Sequence, residues 1–551
     1  MSRQLPLLLA LVAVLSGPIL LRPRQPGDPQ AGERALVIIT PHNESIRSEF
    51  GRAFEEQYLA RTGTRVRVDW RTPGGTSEIG RYVASEFLAS FQNHWVNTLH
   101  RPWSKIVETS FDNPRVVPAA TPAEDTPPQQ ARRAFLDSQV GSKIDLFFGG
   151  GAYDFEQQAR AGRLVDSGFL GAHPELFNDQ VIPQKVSGEP FWDPKGRWLG
   201  SVISSFGICY NPDVLARLGI THPPQRWADL ADPRYTRHIA LANPTQSGSV
   251  GKSFEMLIQQ QMQEAGEARI EAKIRELSKS GNITNARVSL TPAEEKEAVI
   301  EGWARALRLL MKIGANARYF TDSSTKIALD VEAGEAAAGM TIDFYGRFQS
   351  EAVRKPDGSS RLQYVNAEGG TSVGVDPIGL FRGAPNGDVA RDFIAFVFSV
   401  DGQKLWNWKV GTPGGPKRYA LRRLPVLPAL YAAEFQPLRS DPEVQPYDLA
   451  RTFIYHDQWT GPLFRPLAFI FRVMCIDTHE ELKTAWEALR EANFPPQAMA
   501  VFEDVSAVDY ALASGQIREA LSGDKIREVQ LAKELADHFR AQYRRAAQMA
   551  R

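Results

Sequence analysis

The chain has 551 residues, of which 43% are hydrophobic and 23% are charged, so it is long enough for more than one globular lobe. Lysine plus arginine and aspartate plus glutamate both total 64, so the chain has no overall basic field, which argues against nucleic acid as a partner. The two cysteines, Cys209 and Cys475, are too few for a disulfide framework, and the sequence leaves open whether they pair.

Residues 1–30 predict a signal peptide or an N-terminal anchor. Arg3 precedes an apolar stretch from Leu5 to Leu21, which is short for a membrane span and typical of a secretory signal. No clear small-residue cleavage site follows, because Arg22 and Arg24 come directly after the stretch, so an uncleaved anchor stays open. Either way, we expect a periplasmic or otherwise extracytoplasmic protein.

Short strands then alternate with amphipathic helices. Ala35–Thr40 and Thr64–Trp70 are strand-like, and Lys143–Gly151 is a strand that ends in glycines. Two of the intervening helices each place four apolar residues on one face: Ile46, Phe50, Phe54 and Tyr58 in the first, and Ile79, Val83, Phe87 and Phe91 in the second. This repeat predicts a parallel α/β sheet. The proline-rich stretch Val116–Gln130 predicts a surface loop.

A second α/β series begins near Gly200. Strand-like runs follow at 239–244, 316–320 and 336–342, and a return strand lies within 370–386. From about Leu430 the composition becomes helical and charged. We therefore predict two α/β lobes followed by a mainly helical C-terminal region.

The stretch Ala242–Ser253 looks like a nucleotide-binding loop because it ends in Gly-Lys-Ser. A phosphate loop requires glycine five residues before Gly251, where this chain has Gln246, so the spacing argues against ATP use. The turn Gln246-Ser247-Gly248-Ser249 still leads from a strand into a helix. Such a turn binds an anion at a helix N-terminus, or it simply caps the helix.

Three other junctions share this build, with a strand end, glycines or polar residues, and then a helix. They contain His42-Asn43, Gly75-Thr76-Ser77 and Gly151, and the last is followed by Tyr153-Asp154. Ligands of open α/β sheets bind at the carboxyl ends of the strands, so these junctions predict a polar cleft between two lobes.

The chain resembles the extracellular solute-binding proteins of ABC importers, with the type 2 periplasmic binding fold, in the ferric-iron-binding-like branch. The resemblance runs from about Leu36 to Tyr419, in ITPHNESIRSEFGRAFEEQY, TPGGTSEIGRYV, DLFFGGGAYDFEQQARAGRLV, SSFGICYNPDVLARLGI, WADLADPRY, ANPTQSGSVGKSFEMLIQQ and AAGMTIDFYGRF. It implies a first part of lobe 1 over 31–200, lobe 2 over 201–371, a return to lobe 1 over 372–430 and a mainly helical extension over 431–551.

The resemblance also implies a function. The lobes would close by hinge motion on ferric ion or a small anionic solute and deliver it to a membrane permease that a separate ATPase powers. Iron-binding members use a histidine, a carboxylate and two adjacent tyrosines beside a synergistic anion. Here His42, Asp343 and Tyr345 take those places, although Phe344 stands where one tyrosine is expected. No cofactor is required, and the resemblance leaves open whether Fe(III) with a synergistic anion is bound.

The hydroxyls of Thr76, Ser77, Ser247 and Ser249 favour an anionic ligand, and Tyr153 is expected to face the cleft. Two alternatives stay open. The first is a membrane-anchored ligand sensor on the same fold. The second is an enzyme, which we do not favour because the sequence contains no GxSxG, HExxH or convincing carboxylate pair.

Overall fold

The structure is a computed structural model that describes residues 33–279, 288–523 and 525–551. The predicted signal or anchor segment lies outside these residues. Among the residues described, no helix is both long and apolar enough to span a bilayer.

The first part of the chain contributes strands and helices to lobe 1. Its strands are β1 (Arg34–Ile39), β2 (Val66–Arg71), β3 (Leu146–Phe148), β4 (Leu164–Val165), β5 (Lys185–Val186), β6 (Glu189–Pro190) and β7 (Leu199–Ser204). Its helices are α1 (Glu44–Thr62), α2 (Thr76–Asn93), α3 (Lys105–Ser110), α4 (Pro127–Asp137), α5 (Ala152–Ala161) and α6 (Phe169–Ala172).

Lobe 2 follows as a second α/β unit. Its strands are β8 (Phe206–Tyr210), β9 (Ile239–Ala242), β10 (Ala317–Thr321), β11 (Ala338–Ile342) and β12 (Gln363–Asn366). Its helices are α7 (Pro212–Arg217), α8 (Gly248–Lys279), α9 (Pro292–Asn316), α10 (Ser324–Glu332) and α11 (Asp343–Ala352).

The chain then returns to lobe 1 and ends in a mainly helical region. The return contains β13 (Gly374–Phe381), α12 (Gly387–Phe398), α13 (Val400–Asn407) and β14 (Leu424–Pro425). The last region contains α14 (Pro446–Leu449), α15 (Asp457–Thr460), α16 (Phe464–Phe471), α17 (His479–Glu491), α18 (Pro496–Phe502), α19 (Tyr510–Leu512), α20 (Arg518–Ser522) and α21 (Lys525–Ala550).

Two mixed sheets form the centres of the lobes. The first has the order β14-β7-β13-β3-β1-β2, with β4 beside β13, and the second has the order β10-β9-β11-β8-β12. The parallel pairing predicted from the alternating strands and helices is confirmed for part of the first sheet. β1 is parallel to β2 and β3, but the returning β13 runs antiparallel to β3 and β7, because it enters the sheet from the other lobe.

Two neighbouring crossings connect the lobes. Ser205 alone separates β7 from β8, and the chain returns between β12 and β13. The crossings lie side by side, because Ser204 pairs with Gly374 on one side and Gly207 pairs with Asn366 on the other. The predicted two-lobed α/β architecture with crossing strands and a helical C-terminal region is confirmed.

The helix faces also agree with the sequence patterns. Asn43 caps α1 by accepting a hydrogen bond from the Ile46 N–H at 3.1 Å, and Gly63 ends this helix with a φ of 69°. The apolar faces of α1 and α2 are buried in the core. The predicted surface loop is wrong at its end, because α4 begins at Pro127 and Asp125 is buried as the partner of Arg133.

Candidate functional site

A cleft of about 1330 Å³ lies between the lobes, and the C-terminal region supplies part of its wall. Ten of the predicted site residues line it: His42, Gly75, Thr76, Gly151, Tyr153, Gln246, Ser247, Gly248, Ser249 and Tyr345. Three lie outside the lining: Asn43, Ser77 and Asp343. The strand-to-helix junctions of both lobes therefore meet in one space.

Three helix N-termini, those of α2, α5 and α8, face this cleft. They begin at Thr76, Ala152 and Gly248, within or directly after the junctions that the sequence singled out. Before α2, the Gly75 N–H donates to Glu78 Oε2 at 2.8 Å, and Gly74 has a φ of 146° that few other residues adopt. N–H groups in a first helical turn have no partner within their helix and carry partial positive charge.

The two lobes approach each other closely at Gly248. A Cβ atom at this position would lie 3.0 Å from Thr76 Oγ1 and 3.5 Å from Asp154 Oδ2, both in lobe 1. A Cβ atom on Gly75 would similarly lie 3.3 Å from the Gln246 carbonyl oxygen. Glycine therefore allows the N-termini of α2 and α8 to come together across the cleft.

Asp154, in the first turn of α5, places a carboxyl group at this meeting point. Burial raises its pKa to about 6, while a hydrogen bond from Thr76 acts in the opposite direction. Its charge therefore changes near neutral pH, which alters the electrostatics of the surrounding helix N-termini.

A buried polar cluster lies beneath the cleft at the crossing strands, with Arg423 at its centre. The Arg423 guanidinium is 2.8 Å from Asp376 Oδ2, donates to His42 Nε2 at 3.0 Å and also donates to the Ser204 hydroxyl. Its other side covers the ring of Phe344 from lobe 2, 4.1 Å from the ring centroid. The cluster thus joins both crossing strands to the second lobe.

The pKa shifts in this cluster follow from burial and from Arg423. Burial lowers the pKa of His42 to about 4, and the charge of Arg423 contributes, so the imidazole is neutral at pH 7. Burial by itself would raise the pKa of Asp376, but the charge of Arg423 and the hydrogen bond from the Ser204 hydroxyl at 2.8 Å oppose it, and the pKa is lowered. Because His42 Nε2 accepts from Arg423, its lone pair is already engaged.

The other two predicted metal ligands differ in position. Tyr345 lines the cleft, and burial raises the pKa of its phenol. The buried Asp343 carboxylate accepts from the Phe344 N–H at 2.8 Å and from the Ser205 hydroxyl at 3.3 Å. Within the described part of the chain, no group of three or more His, Cys, Asp or Glu side chains could hold a metal ion.

Sequence reasoning missed Arg423, Asp376 and the ion-pairing role of Lys252. Lys252 Nζ lies 2.8 Å from Glu189 Oε1 and 2.8 Å from Glu255 Oε2, at the wall of the cleft. No local motif surrounds Arg423 or Asp376. The Gly-Lys-Ser stretch did draw attention to Lys252, but as a phosphate-loop residue and not as an ion-pair partner.

Residues 141–302 match the model of the bacterial extracellular solute-binding protein family. An uncharacterized protein of Haemophilus influenzae is 25% identical over 275 residues, which are 49% of this chain and 62% of that protein. The match thus spans less than two thirds of the relative's own length.

Several solved structures show distant similarity. AfuA of Actinobacillus pleuropneumoniae, with fructose-6-phosphate bound, is 18% identical over 68% of this chain and 81% of its own, with a TM-score of 0.42. Iron-bound HitA of Pseudomonas aeruginosa is 15% identical over 76% and 92%, with a TM-score of 0.39. PotD of Streptococcus pneumoniae, a spermidine/putrescine transporter component, is 13% identical over 80% and 98%, with a TM-score of 0.41. At these values none of them bears on the solute of this chain.

Proposed function

We propose that this protein is an exported solute-binding subunit of an ABC import system and not an enzyme. It captures a small anionic solute between its lobes and delivers it to a membrane permease, which a separate ATPase powers. The match of residues 141–302 to extracellular solute-binding proteins supports the class of protein. The two crossings support a hinge about which the lobes move.

The main support for an anionic ligand is the convergence of helix N-termini at Thr76, Gly151 and Gly248. They belong to both lobes and line one cleft, and Thr76 reaches the α8 N-terminus. Unpaired N–H groups and the helix dipole make such positions favourable for carboxylate, phosphate or sulfate. An anion bound there would receive hydrogen bonds from both lobes and would favour the closed form.

Arg423 lies below the cleft, where Asp376 compensates its charge, so it favours neither sign of ligand by itself. It is fully buried and contacts His42 and Ser204, both of which line the cleft. Its charge also bears on the predicted ferric site, because the guanidinium occupies the His42 Nε2 lone pair that a metal would need. Ferric ion with a synergistic anion therefore stays a prediction of the resemblance, and we rank an anion without metal above it.

A second candidate is a cationic solute, because several carboxylates line the cleft. Among the described residues, Asp154, Asp322 and Asp457 line it and form no salt bridge within 4 Å. An ammonium group would bind to such carboxylates. The sign of the ligand's charge therefore decides between the two candidates.

The test is native mass spectrometry and metal analysis of the exported protein, followed by thermal shift with five probes. These are inorganic phosphate, a hexose phosphate, citrate, ferric citrate and spermidine. We expect an anion to raise the melting temperature, since a ligand at a hundred times its Kd stabilises by about 2.7 kcal/mol. Thr76→Val should abolish the shift, and Ser77→Ala, outside the cleft lining, should preserve it.

Each other outcome has a defined meaning. A shift with spermidine alone would select the cationic candidate. Stoichiometric iron, with a visible tyrosinate band that Tyr345→Phe removes, would select ferric ion. No shift with any probe and no co-purified solute would contradict the proposed function.

Export and anchoring are tested separately by sequencing the mature N-terminus. A start near Gly27 in the periplasmic fraction agrees with a free binding protein. A start at Met1 or Ser2 in the membrane fraction would instead support the anchored sensor.

A further inference from the structure

The C-terminal extension, residues 431–551, packs on both lobes. On lobe 1, Tyr431 donates to the Pro425 carbonyl at 2.7 Å and Tyr447 donates to the Val426 carbonyl at 2.6 Å. On lobe 2, Trp303 donates to the Val508 carbonyl at 3.0 Å, and Trp486 donates to Asn316 Oδ1 at 2.9 Å. The extension must therefore pass from one lobe to the other.

The passage lies at Tyr455-His456, where neighbouring residues bond to opposite lobes. The Tyr455 N–H donates to the Ser187 carbonyl of lobe 1 at 2.7 Å, and the His456 N–H donates to Gln259 Oε1 of lobe 2 at 2.8 Å. Gly188 allows this approach, because it has a φ of 79° and a Cβ there would lie 1.9 Å from the Tyr455 carbonyl oxygen.

A buried ion pair crosses the cleft at the same place. Lys252 of lobe 2 lies 2.8 Å from Glu189 of lobe 1, and its ammonium is 3.8 Å from the centroid of the Tyr455 ring. Glu189 also accepts from the Ser372 hydroxyl at 2.8 Å, and Glu255 accepts from the Tyr455 hydroxyl at 2.9 Å. Lobe 1, lobe 2 and the extension thus share one polar cluster.

We infer that Tyr455-His456 and the Glu189–Lys252 ion pair form an interlobe latch, which limits how far the lobes open about the hinge. Two crossing strands form a hinge, and a third connection between the lobes, which the Ser372–Glu189 hydrogen bond joins to the returning crossing, limits rotation about it. The ion pair adds to this restraint, because separating the lobes would leave the buried Glu189 carboxylate without its cation, while Lys252 would keep Glu255 of its own helix. The latch does not depend on the identity of the solute, so its failure would leave the proposed function intact.

The test is pulsed electron spin resonance on the full chain without added solute. Spin labels at Tyr82→Cys on α2 and Leu329→Cys on α10 report the separation of the lobes, since both side chains are exposed and the two native cysteines are buried. We expect one narrow distance distribution in the otherwise unchanged protein. Lys252→Met should lengthen the mean distance by more than about 2 Å, the scale that separates domain rearrangement from rigid behaviour.

A matched control is Lys312→Met. Lys312 lies 2.6 Å from Glu503 and so joins the extension to lobe 2 without reaching lobe 1. The distance distribution of the spin-labelled Lys312→Met variant should equal that of the spin-labelled protein without this substitution. Circular dichroism shows whether Lys252→Met is folded. If it is not, Glu189→Gln replaces it as the test, because this variant removes the negative charge of lobe 1 and keeps the shape of the side chain.

Two results would overturn the latch. The first is an unchanged distribution in folded Lys252→Met and in Glu189→Gln. The second is a parent protein that already populates the longer distances without solute.

Discussion

At the scale of single residues, the cleft depends on charges that are paired below its surface. Arg423 is fully buried against Asp376, His42 and Ser204, so its charge is compensated and its hydrogen bonds have fixed directions. Asp154 is different, because burial raises its pKa to about 6 and no salt bridge to it forms among the described residues. We therefore expect replacement of Arg423 to change the stability of the protein and replacement of Asp154 to change ligand binding.

Replacing Arg423 should destabilise the protein strongly. Arg423→Met leaves the Asp376 carboxylate buried without its cation, which typically costs about 3–5 kcal/mol. Urea unfolding measures the loss. Arg34→Met is the control, because the Arg34–Asp388 pair is solvent-exposed and should contribute less than ~1 kcal/mol. Equal effects of the two substitutions would contradict the role given to Arg423.

Replacing Asp154 should change the pH dependence of ligand binding. Below pH 6 its carboxyl is neutral and above pH 6 it is charged, so affinity for an anion should fall as pH rises from 5 to 7.5. Asp154→Asn should remove this dependence and strengthen binding at pH 7.5 by about tenfold, or ~1.4 kcal/mol. Isothermal titration calorimetry of both proteins at each pH gives the dissociation constants. The ratio of the two constants at one pH cancels the effect of the ligand's own protonation. Weaker binding in Asp154→Asn would indicate a cationic ligand.

At the scale of elements, the site is a meeting of helix ends. Strands of both sheets end at the cleft, and helices α2, α5 and α8 begin there. Each junction is local and recognisable, with glycine or a hydroxyl residue between strand and helix. Their convergence is not local, since α2 and α8 belong to different lobes and approach within contact distance at Gly248.

A larger side chain at Gly248 should weaken binding with little loss of stability. The added atoms of Gly248→Val would lie against Thr76 and Asp154 and would hold the lobes apart. We expect at least about a tenfold loss of affinity, or ~1.4 kcal/mol, by calorimetry. Gly266→Ala is the control on the same helix, where a Cβ meets only ordinary contacts at 3.5 Å and beyond. It should leave affinity unchanged and stabilise the helix by up to ~1 kcal/mol.

At the scale of the whole molecule, the extension joins both lobes into one unit. It packs along α9 of lobe 2 and beside β14 of lobe 1, and it contributes Tyr455 and Phe464 to the cleft wall. A further ion pair joins the lobes near the hinge, where Arg422 of the return to lobe 1 lies 3.0 Å from Glu351 of α11 in lobe 2. Ligand binding and overall stability should therefore be coupled through the extension.

The two cysteines give a prediction at this scale. Cys209 lies in β8 and Cys475 lies in the extension, and both are free and buried. We expect no reaction with a thiol reagent in the native protein and two thiols per chain after denaturation. A reductant should leave the melting temperature unchanged. A single linked pair in the denatured protein would contradict the structure.

The sequence by itself determined the α/β class, the buried faces of α1 and α2 and the strand-to-helix junctions, because these follow from periodicity and turn chemistry within a short window. The glycine spacing before Gly251 also argued against a phosphate loop. The resemblance supplied the two lobes. Within each lobe, parallel strands carry their junctions to one edge of the sheet, although the meeting of the two edges in one cleft is a tertiary feature.

Only the tertiary structure decided which charges meet. Arg423 and His42 are 381 positions apart, and Lys252 and Tyr455 come from regions that share no local pattern. Buried ion pairs depend on distances of a few ångströms between distant segments, and no periodicity in the chain encodes them. The antiparallel return strand, the position of Asp343 outside the cleft lining and the passage of the extension between the lobes were decided in the same way, because each depends on where the chain crosses from one lobe to the other.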